Sequence, residues 1–97
     1  ELALAAAIQL AGLPGVSLLA AGTDGSDGPT DAAGAFVDGA TASSARARGA
    51  DPEDALRRND SHGFFSRAGG LLVTGPTGTN VMDLVLLRVD PQPASAE

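Results

Sequence analysis

The sequence contains no cysteine and no lysine, and its only histidine is His62. Without cysteine the chain has no disulfide framework, no thiolate metal site and no cysteine nucleophile. One histidine cannot by itself form a histidine metal cluster. Proteins without disulfides are typical of the cytosol, so the sequence favours a cytoplasmic location.

Positive charge is scarce. Six arginines stand against twelve acidic residues, which gives a net charge of −6. No basic stripe exists that could neutralise phosphates, so we expect neither nucleic acid nor an anionic membrane surface as a partner. The apolar stretch LALAAAIQLAG stops at Gly12 and Pro14 and is too short to span a bilayer. No basic residue precedes it, as one would in a signal peptide.

The length of 97 residues suits one small domain, with several short helices. Apolar residues at helical spacing predict an alanine-rich helix over 2–11. The run Asp51-Pro52-Glu53-Asp54 predicts a helix start, because it combines a capping acid, a first-turn proline and first-turn acids; that helix should reach Arg58. Two more helices are predicted over 42–48, capped by Thr41, and over 62–67, capped by Asp60 or Ser61 and ended by Gly69-Gly70.

Continuous apolar runs predict buried strands at 16–21, 71–74 and 81–89. The first of these reads as a strand covered on both faces. Strands that alternate with helices predict an α/β layered domain with a mostly parallel sheet flanked by short helices.

Two polar, glycine-rich loops each follow a predicted strand: GTDGSDGPTDAAG at 22–34 and TGPTGTN at 74–80. In open α/β sheets, ligands bind beyond the carboxyl ends of strands. The alternative is a pair of tight turns whose polar side chains cap backbone groups, with Asp31 capping a short helix at Ala32. We favour a functional site, and we expect the loops to lie side by side because they follow parallel, neighbouring strands.

Several sharper motifs are absent. The loop glycines do not form G-x-G-x-x-G, and GPTGTN lacks the lysine of a P-loop. The aspartate spacing is not that of an EF-hand. His62 stands beside Phe64 and Phe65, and we interpret it as a packing or capping residue.

Two long segments, LLAAGTDGSDGPTDAAGAFVDG and NDSHGFFSRAGGLLVTGPTGTNVMDL, resemble the MOFRL domain. This is the C-terminal domain of class II glycerate kinases, which are often catalogued as hydroxypyruvate reductases. The resemblance covers residues 1–88 in order. His62 stands where the family usually has tyrosine, and Met82 where it often has asparagine; since methionine offers no comparable hydrogen bond, we exclude Met82 from the site.

The resemblance implies part of an ATP- and Mg²⁺-dependent kinase that phosphorylates D-glycerate at its 2-hydroxyl. It places the active site in a cleft between two domains, with a lysine and an arginine from the chain's own larger N-terminal domain. We therefore expect residues 1–90 to be a C-terminal domain truncated at its N-terminal edge, and 91–97 to be a disordered tail. Glycerate is the expected small-molecule substrate, and the sequence leaves homo-oligomer formation open.

The resemblance assigns catalysis to Asp24, in the AGTDG loop. Asp24 either accepts the hydroxyl proton or helps to hold Mg²⁺; if it is the base, Asp27 is the better metal candidate. The remaining candidates are loop residues suited to binding substrate or phosphate through backbone or neutral side chains: Gly22, Thr23, Gly25, Gly28, Thr30, Thr77, Gly78, Thr79 and Asn80.

Two rival functions remain open at this point. One is a nicotinamide-dependent hydroxypyruvate reductase, although the sequence has no dinucleotide fingerprint. The other is a non-catalytic ligand-binding module.

Overall fold

The computed structural model describes residues 1–22, 33–73 and 83–91. The predicted tail therefore lies almost entirely outside the described residues. Within the described ranges, four helices and four strands follow one another in the order α1 (Leu2–Leu10), β1 (Val16–Gly22), β2 (Gly34–Asp38), α2 (Thr41–Ala47), α3 (Pro52–Arg57), α4 (Ser61–Ala68), β3 (Leu71–Leu72) and β4 (Asp83–Val89).

Helix α3 begins where the sequence predicts. The Asp51 carboxylate accepts hydrogen bonds from the amides of Glu53 and Asp54 at 3.0 and 3.3 Å, and Pro52 occupies the first helical position. These bonds satisfy amide groups that have no partner inside the helix. Asp51 is thus confirmed as the cap of α3.

Helix α4 is capped by Asp60, whose carboxylate accepts a hydrogen bond from the amide of Gly63 at 3.2 Å. Of the two predicted caps, Asp60 is therefore the one used. The helix ends at Ala68, and Gly69 leaves it with a φ of 86°, a conformation that favours glycine.

Helix α2 differs from the prediction at its start. It begins at Thr41 itself, which is not its cap. The Thr41 hydroxyl instead accepts from the amide of Asp38 at 2.9 Å, while the Asp38 carboxylate accepts from the amide of Ala40 at 2.9 Å. These side chains stabilise the turn between β2 and α2. Threonine and aspartate often form such local bonds to the backbone of turns.

The sheet is antiparallel, so the expectation of a mostly parallel sheet was wrong. Its strand order is β3-β2-β1-β4, and every neighbouring pair runs antiparallel. The error follows from β2, which the sequence analysis missed. Its first two residues are Gly34 and Ala35, both weak strand formers, so the segment GAFVD carries little strand signal. Inserting β2 directly after β1 turns an apparent strand–helix alternation into a hairpin.

The helices cover one face of the sheet. Val37 is fully buried among residues of α1, α2, α3 and α4, and Leu18, its partner on β1, packs against the same core. Phe36, whose side chain points to the opposite face, is 47% exposed. The prediction that β1 is covered on both faces is not met in the described residues, where its side chains at 16–21 are half-buried. No helix in these residues is long and apolar enough to cross a membrane.

Ion pairs between helices α2 and α3 and within α3 occupy several arginines. Arg46 lies 2.7 Å from Glu53, and Asp54 pairs with both Arg57 and Arg58. The hydrogen bond from Arg58, assisted by the positive charges of Arg58 and Arg57, holds the pKa of the Asp54 carboxyl below its ordinary value of 3.8.

We predict a native pKa for Asp54 below 3.8, measurable by NMR titration of its carboxyl carbon. The pKa is lowered on folding, so the ionised pair stabilises the fold above the ordinary pKa and ceases to do so as pH falls through the native one. Arg58→Gln should move the titration midpoint back towards 3.8. Arg46→Gln is the control, since Arg46 pairs with Glu53. An unchanged Asp54 midpoint in Arg58→Gln would contradict this account.

Candidate functional site

Both glycine-rich loops connect to the same end of the sheet. The residue pairs Gly22–Asp83, Ala21–Gly34 and Gly34–Leu72 lie opposite one another across the sheet. The residues on either side of 23–32 and of 74–82 therefore meet at one sheet end.

Backbone hydrogen bonds fasten this end. The amide of Gly22 donates to the carbonyl of Ala33 at 2.8 Å, and the amide of Ala33 donates to that of Leu72 at 2.7 Å. Strands β1 and β3 both run antiparallel to β2, so they point in the same direction and both lead into this end. They are not neighbours, because β2 lies between them; that part of the expectation was wrong.

Of the predicted site residues, the structure describes Gly22 alone. It is buried at the last position of β1. The other candidates in the two loops lie outside the described residues: Thr23, Asp24, Gly25, Asp27, Gly28, Thr30, Thr77, Gly78, Thr79 and Asn80. Their proximity to one another stays a prediction.

A groove of about 600 Å³ opens at the same end of the sheet. This volume lies within the range of small-molecule sites, roughly 300–1,000 Å³. Its apolar wall includes Ala20, Ala35, Phe65 and Val85. The groove lies between the sheet end and the first turns of α1 and α4, so rigid elements hold its walls.

The polar wall of the groove comes from the segment that enters α4 and from the start of β4. It consists of Asn59, Asp60, Ser61, His62 and Asp83, together with Glu1. No lysine or arginine is among the described residues that line the groove. The described wall thus offers carboxylates, a hydroxyl, an amide and an imidazole, but no lysine or arginine side chain.

Local structure explains why these polar groups face the groove. Asn59 adopts a φ of 55°, a left-handed conformation that asparagine tolerates better than most residues, and it lets the chain turn sharply from α3 into α4. One carboxylate oxygen of Asp60 accepts a hydrogen bond from the Gly63 amide, and the other lies 3.6 Å from Arg58. Asp60 is therefore partly engaged by the fold.

His62 has an exposed side chain on the groove wall, while Phe64 and Phe65 beside it are buried. The helix cap is Asp60. The interpretation of His62 as a packing or capping residue was therefore wrong. Asp83 was not among the predicted site residues, although an acidic residue at the head of the apolar run DLVLLRV is a recognisable strand-end signal.

The described residues do not form a metal centre by themselves. Within 1–22, 33–73 and 83–91 no three His, Cys, Asp or Glu side chains are grouped so that they could hold an ion. Mg²⁺ at phosphate-binding sites usually takes one or two carboxylates and fills its shell with water and phosphate. The carboxylates of Asp60 and Asp83 on the groove wall fit that requirement in their chemistry.

Comparison with known proteins identifies the family. The profile of the MOFRL family matches residues 1–83. The chain is 59% identical over 86 residues to a D-glycerate 2-kinase of Thermotoga maritima, covering 89% of this chain and 21% of the relative. It is 46% identical over 89 residues to a glycerate 2-kinase of Pyrococcus horikoshii, covering 92% of this chain and 20% of the relative.

The fold agrees with the sequence match. A crystal structure of the glycerate kinase from Thermotoga maritima superposes with a TM-score of 0.89 at 57% identity, over 93% of this chain and 22% of that one. The chain thus spans about a fifth of the length of the relatives it matches.

Gly34 controls how closely β1 and β2 approach beside the groove. A Cβ added there would overlap the carbonyl oxygen of Ala20 and lie 2.8 Å from its carbonyl carbon. Both are backbone atoms, so the strands would have to separate where both loops are attached.

We predict that Gly34→Ala destabilises the protein by about 3 kcal/mol or more, because backbone must move to relieve the overlap. Gly49→Ala is the control: Gly49 has a φ of 82° with no atom within 4 Å of an added Cβ, so only the conformational cost of about 1–2 kcal/mol applies. Urea unfolding of both variants measures the difference. Equal losses would show that the strand contact at Gly34 is unimportant.

The match of the family profile to residues 1–83, with the shared fold, establishes that this chain belongs to the MOFRL family.

Proposed function

We propose that this chain is the C-terminal part of an ATP-dependent glycerate 2-kinase that transfers a phosphoryl group to the 2-hydroxyl of D-glycerate. The observation that carries the proposal is the 59% identity, across 89% of the chain, to a protein named D-glycerate 2-kinase. We place the enzyme in the cytoplasm, in keeping with the absence of cysteine from the sequence.

The sheet end is where the chain contributes to this reaction. Loops 23–32 and 74–82 both join the sheet there, beside the groove. In our proposal Asp24 provides the carboxylate nearest the reacting hydroxyl, either as the proton acceptor or as a ligand of Mg²⁺. Asp27 is the metal candidate if Asp24 is the base.

The neutral groups of the loops bind the substrate and the phosphate. Backbone amides at glycine positions and the hydroxyls of Thr23, Thr30, Thr77 and Thr79 donate hydrogen bonds to oxygen atoms, as does the side-chain amide of Asn80. Mg²⁺, when bound with ATP, would supply positive charge at the phosphates. His62 and Asp83 lie on the groove wall beside these loops, within the region that we assign to ligand binding.

Phosphoryl transfer also requires fixed cations, and the described groove wall supplies none. Of the described arginines, Arg46, Arg57, Arg58 and Arg88 are paired with acidic residues. We therefore propose that a lysine and an arginine from the rest of a longer polypeptide complete the site, since this chain spans about a fifth of its relatives.

The function is tested by assaying the longer protein that contains this chain. With D-glycerate, ATP and Mg²⁺ we expect 2-phosphoglycerate. With hydroxypyruvate and NADH we expect no nicotinamide oxidation; such oxidation without phosphorylation would favour a reductase. The 97-residue chain alone should be inactive, because no lysine or arginine lines the described groove wall. Turnover by the purified short chain, free of contaminating kinase, would contradict the division of the site between two parts.

Asp24→Asn in the longer protein should lower kcat by about 10²–10⁴-fold, because the change removes the proton acceptor and its charge while keeping the side-chain shape. The thermal midpoint should change little. Asp31→Asn is the matched control, an identical change in the same loop, and we expect a much milder effect because asparagine also caps helices well. Wild-type kcat in Asp24→Asn, or a loss of activity that follows unfolding alone, would show that Asp24 is structural.

A further inference from the structure

Strand β4 is apolar on both faces and exposed along its whole length. The register places Val85 and Leu87 on the face that the helices cover, and Leu84 and Leu86 on the open face. Even so, Leu86 is 54% and Leu87 61% exposed. A strand beside solvent usually alternates apolar and polar residues, whereas a continuous apolar run is typical of a strand buried on both faces. β4 has the sequence of an interior strand in the position of an edge strand.

The hydrogen-bonding pattern identifies the backbone groups that face outwards. The amide of Asp90 donates to the carbonyl of Gly15 at 2.7 Å, which makes these two residues a hydrogen-bonded pair. Such pairs alternate along an antiparallel ladder. With the observed register, Leu84, Leu86 and Arg88 bond to β1, and the amides and carbonyls of the intervening residues point away from it.

The pairing of β1 with β2 supports the same alternation independently. The amide of Gly22 donates to Ala33, so Gly22, Ala20 and Leu18 use their backbone groups towards β2. Ala21 and Leu19 are then the β1 residues that bond to β4, opposite Leu84 and Leu86. The outward-facing groups of β4 therefore belong to Asp83, Val85, Leu87 and Val89.

The outer edge of β4 lacks the usual protection of an edge strand. Natural edges carry lysine, proline, a bulge or an inward-pointing charge, or they are very short. β4 is seven residues long, pairs with β1 in unbroken register and has charged side chains only at Asp83 and Arg88. Among the described strands none lies beyond it.

We propose that the outer edge of β4 pairs with a further β-strand, supplied by the part of the longer polypeptide that lies outside this chain. A strand fits this edge better than a helix, because its own amides and carbonyls match outward groups that are spaced along a ladder. The remaining polypeptide is the occupant because the relatives are about five times as long as the matched segment, so most of the protein is available to cover this surface. The proposal rests on the longer protein of the proposed function, though not on its catalytic activity.

Amide hydrogen exchange of the longer protein tests the pairing without any turnover. We expect the outward amides of Val85 and Leu87 to exchange at least about tenfold more slowly than unstructured amides, a local opening free energy of about 1.4 kcal/mol or more. Their rates should lie within about tenfold of those of the inward amides, Leu84 and Leu86. Outward amides that exchange at unprotected rates while the inward ones stay protected would overturn the proposal.

Proline substitution provides a matched pair of variants in the longer protein. Leu87→Pro removes an outward amide, and Leu86→Pro removes one that bonds to β1. Pairing on both edges predicts that both variants lower the thermal midpoint by comparable amounts. If Leu87→Pro is harmless while Leu86→Pro is not, the outer edge is free and the proposal is wrong. Should a variant fail to fold, exchange in the unsubstituted protein still decides.

Protein concentration separates the two sources of a partner strand. If the outward amides lose protection on dilution, together with dissociation of a dimer in sedimentation, a second copy covers β4 and the proposal is overturned. Protection that is independent of concentration supports a strand from the same polypeptide. Protection in a protein without glycerate kinase activity would remove the proposed function and leave this inference standing.

Discussion

Strand β1 divides its backbone hydrogen bonds between two neighbours, and the arrangement of the domain depends on that division. Alternate residues of β1 bond to β2 on one side and to β4 on the other. Because both neighbours run antiparallel to β1, the segments 23–32 and 74–82 are attached at one end of the sheet. The same pairing holds Leu18 against Val37, where the helices form the core.

The close approach at Gly34 ties this scaffold to the groove. Gly34 lies opposite Ala21 on β1 and Leu72 on β3, and it also lines the groove. Glycine is required there because the backbone of Ala20 occupies the space of a side chain. The residue that lets the strands pack is thus also the one that fixes the distance between the attachment points of the two loops.

The sequence predicts helix caps and stops, but it does not predict which strands pair. The cap at Asp51 and the stop at Gly69 depend only on neighbouring residues, so they can be predicted from the local sequence. Strand β2 depends on partners on both sides, and its Gly34 fits a close strand contact rather than a strand propensity. Without β2, the sheet was misassigned as mostly parallel. The loops could still be placed at one sheet end, because β1 and β3 do point the same way; the roles of the loop residues came from resemblance to a family.

The helices and the sheet differ in how fully their polar and apolar groups find partners within the described residues. Arginines on α2 and α3 pair with acids on α3, Phe64 and Phe65 pack in the core, and the caps complete the starts of α3 and α4. At the sheet, by contrast, the described groove wall carries carboxylates without a lysine or arginine, and no described strand pairs with the outer edge of the apolar strand β4.

The groove wall needs positive charge, which is an electrostatic requirement. The edge of β4 needs backbone hydrogen bonds and cover for its apolar side chains. Both requirements occur on the same structural unit, since Asp83 on the groove wall is the first residue of β4. A segment that paired with β4 would therefore run beside the groove at its Asp83 end. Covering the strand and bringing cations to the acidic wall are thus requirements that a single neighbouring body of the same polypeptide can meet together.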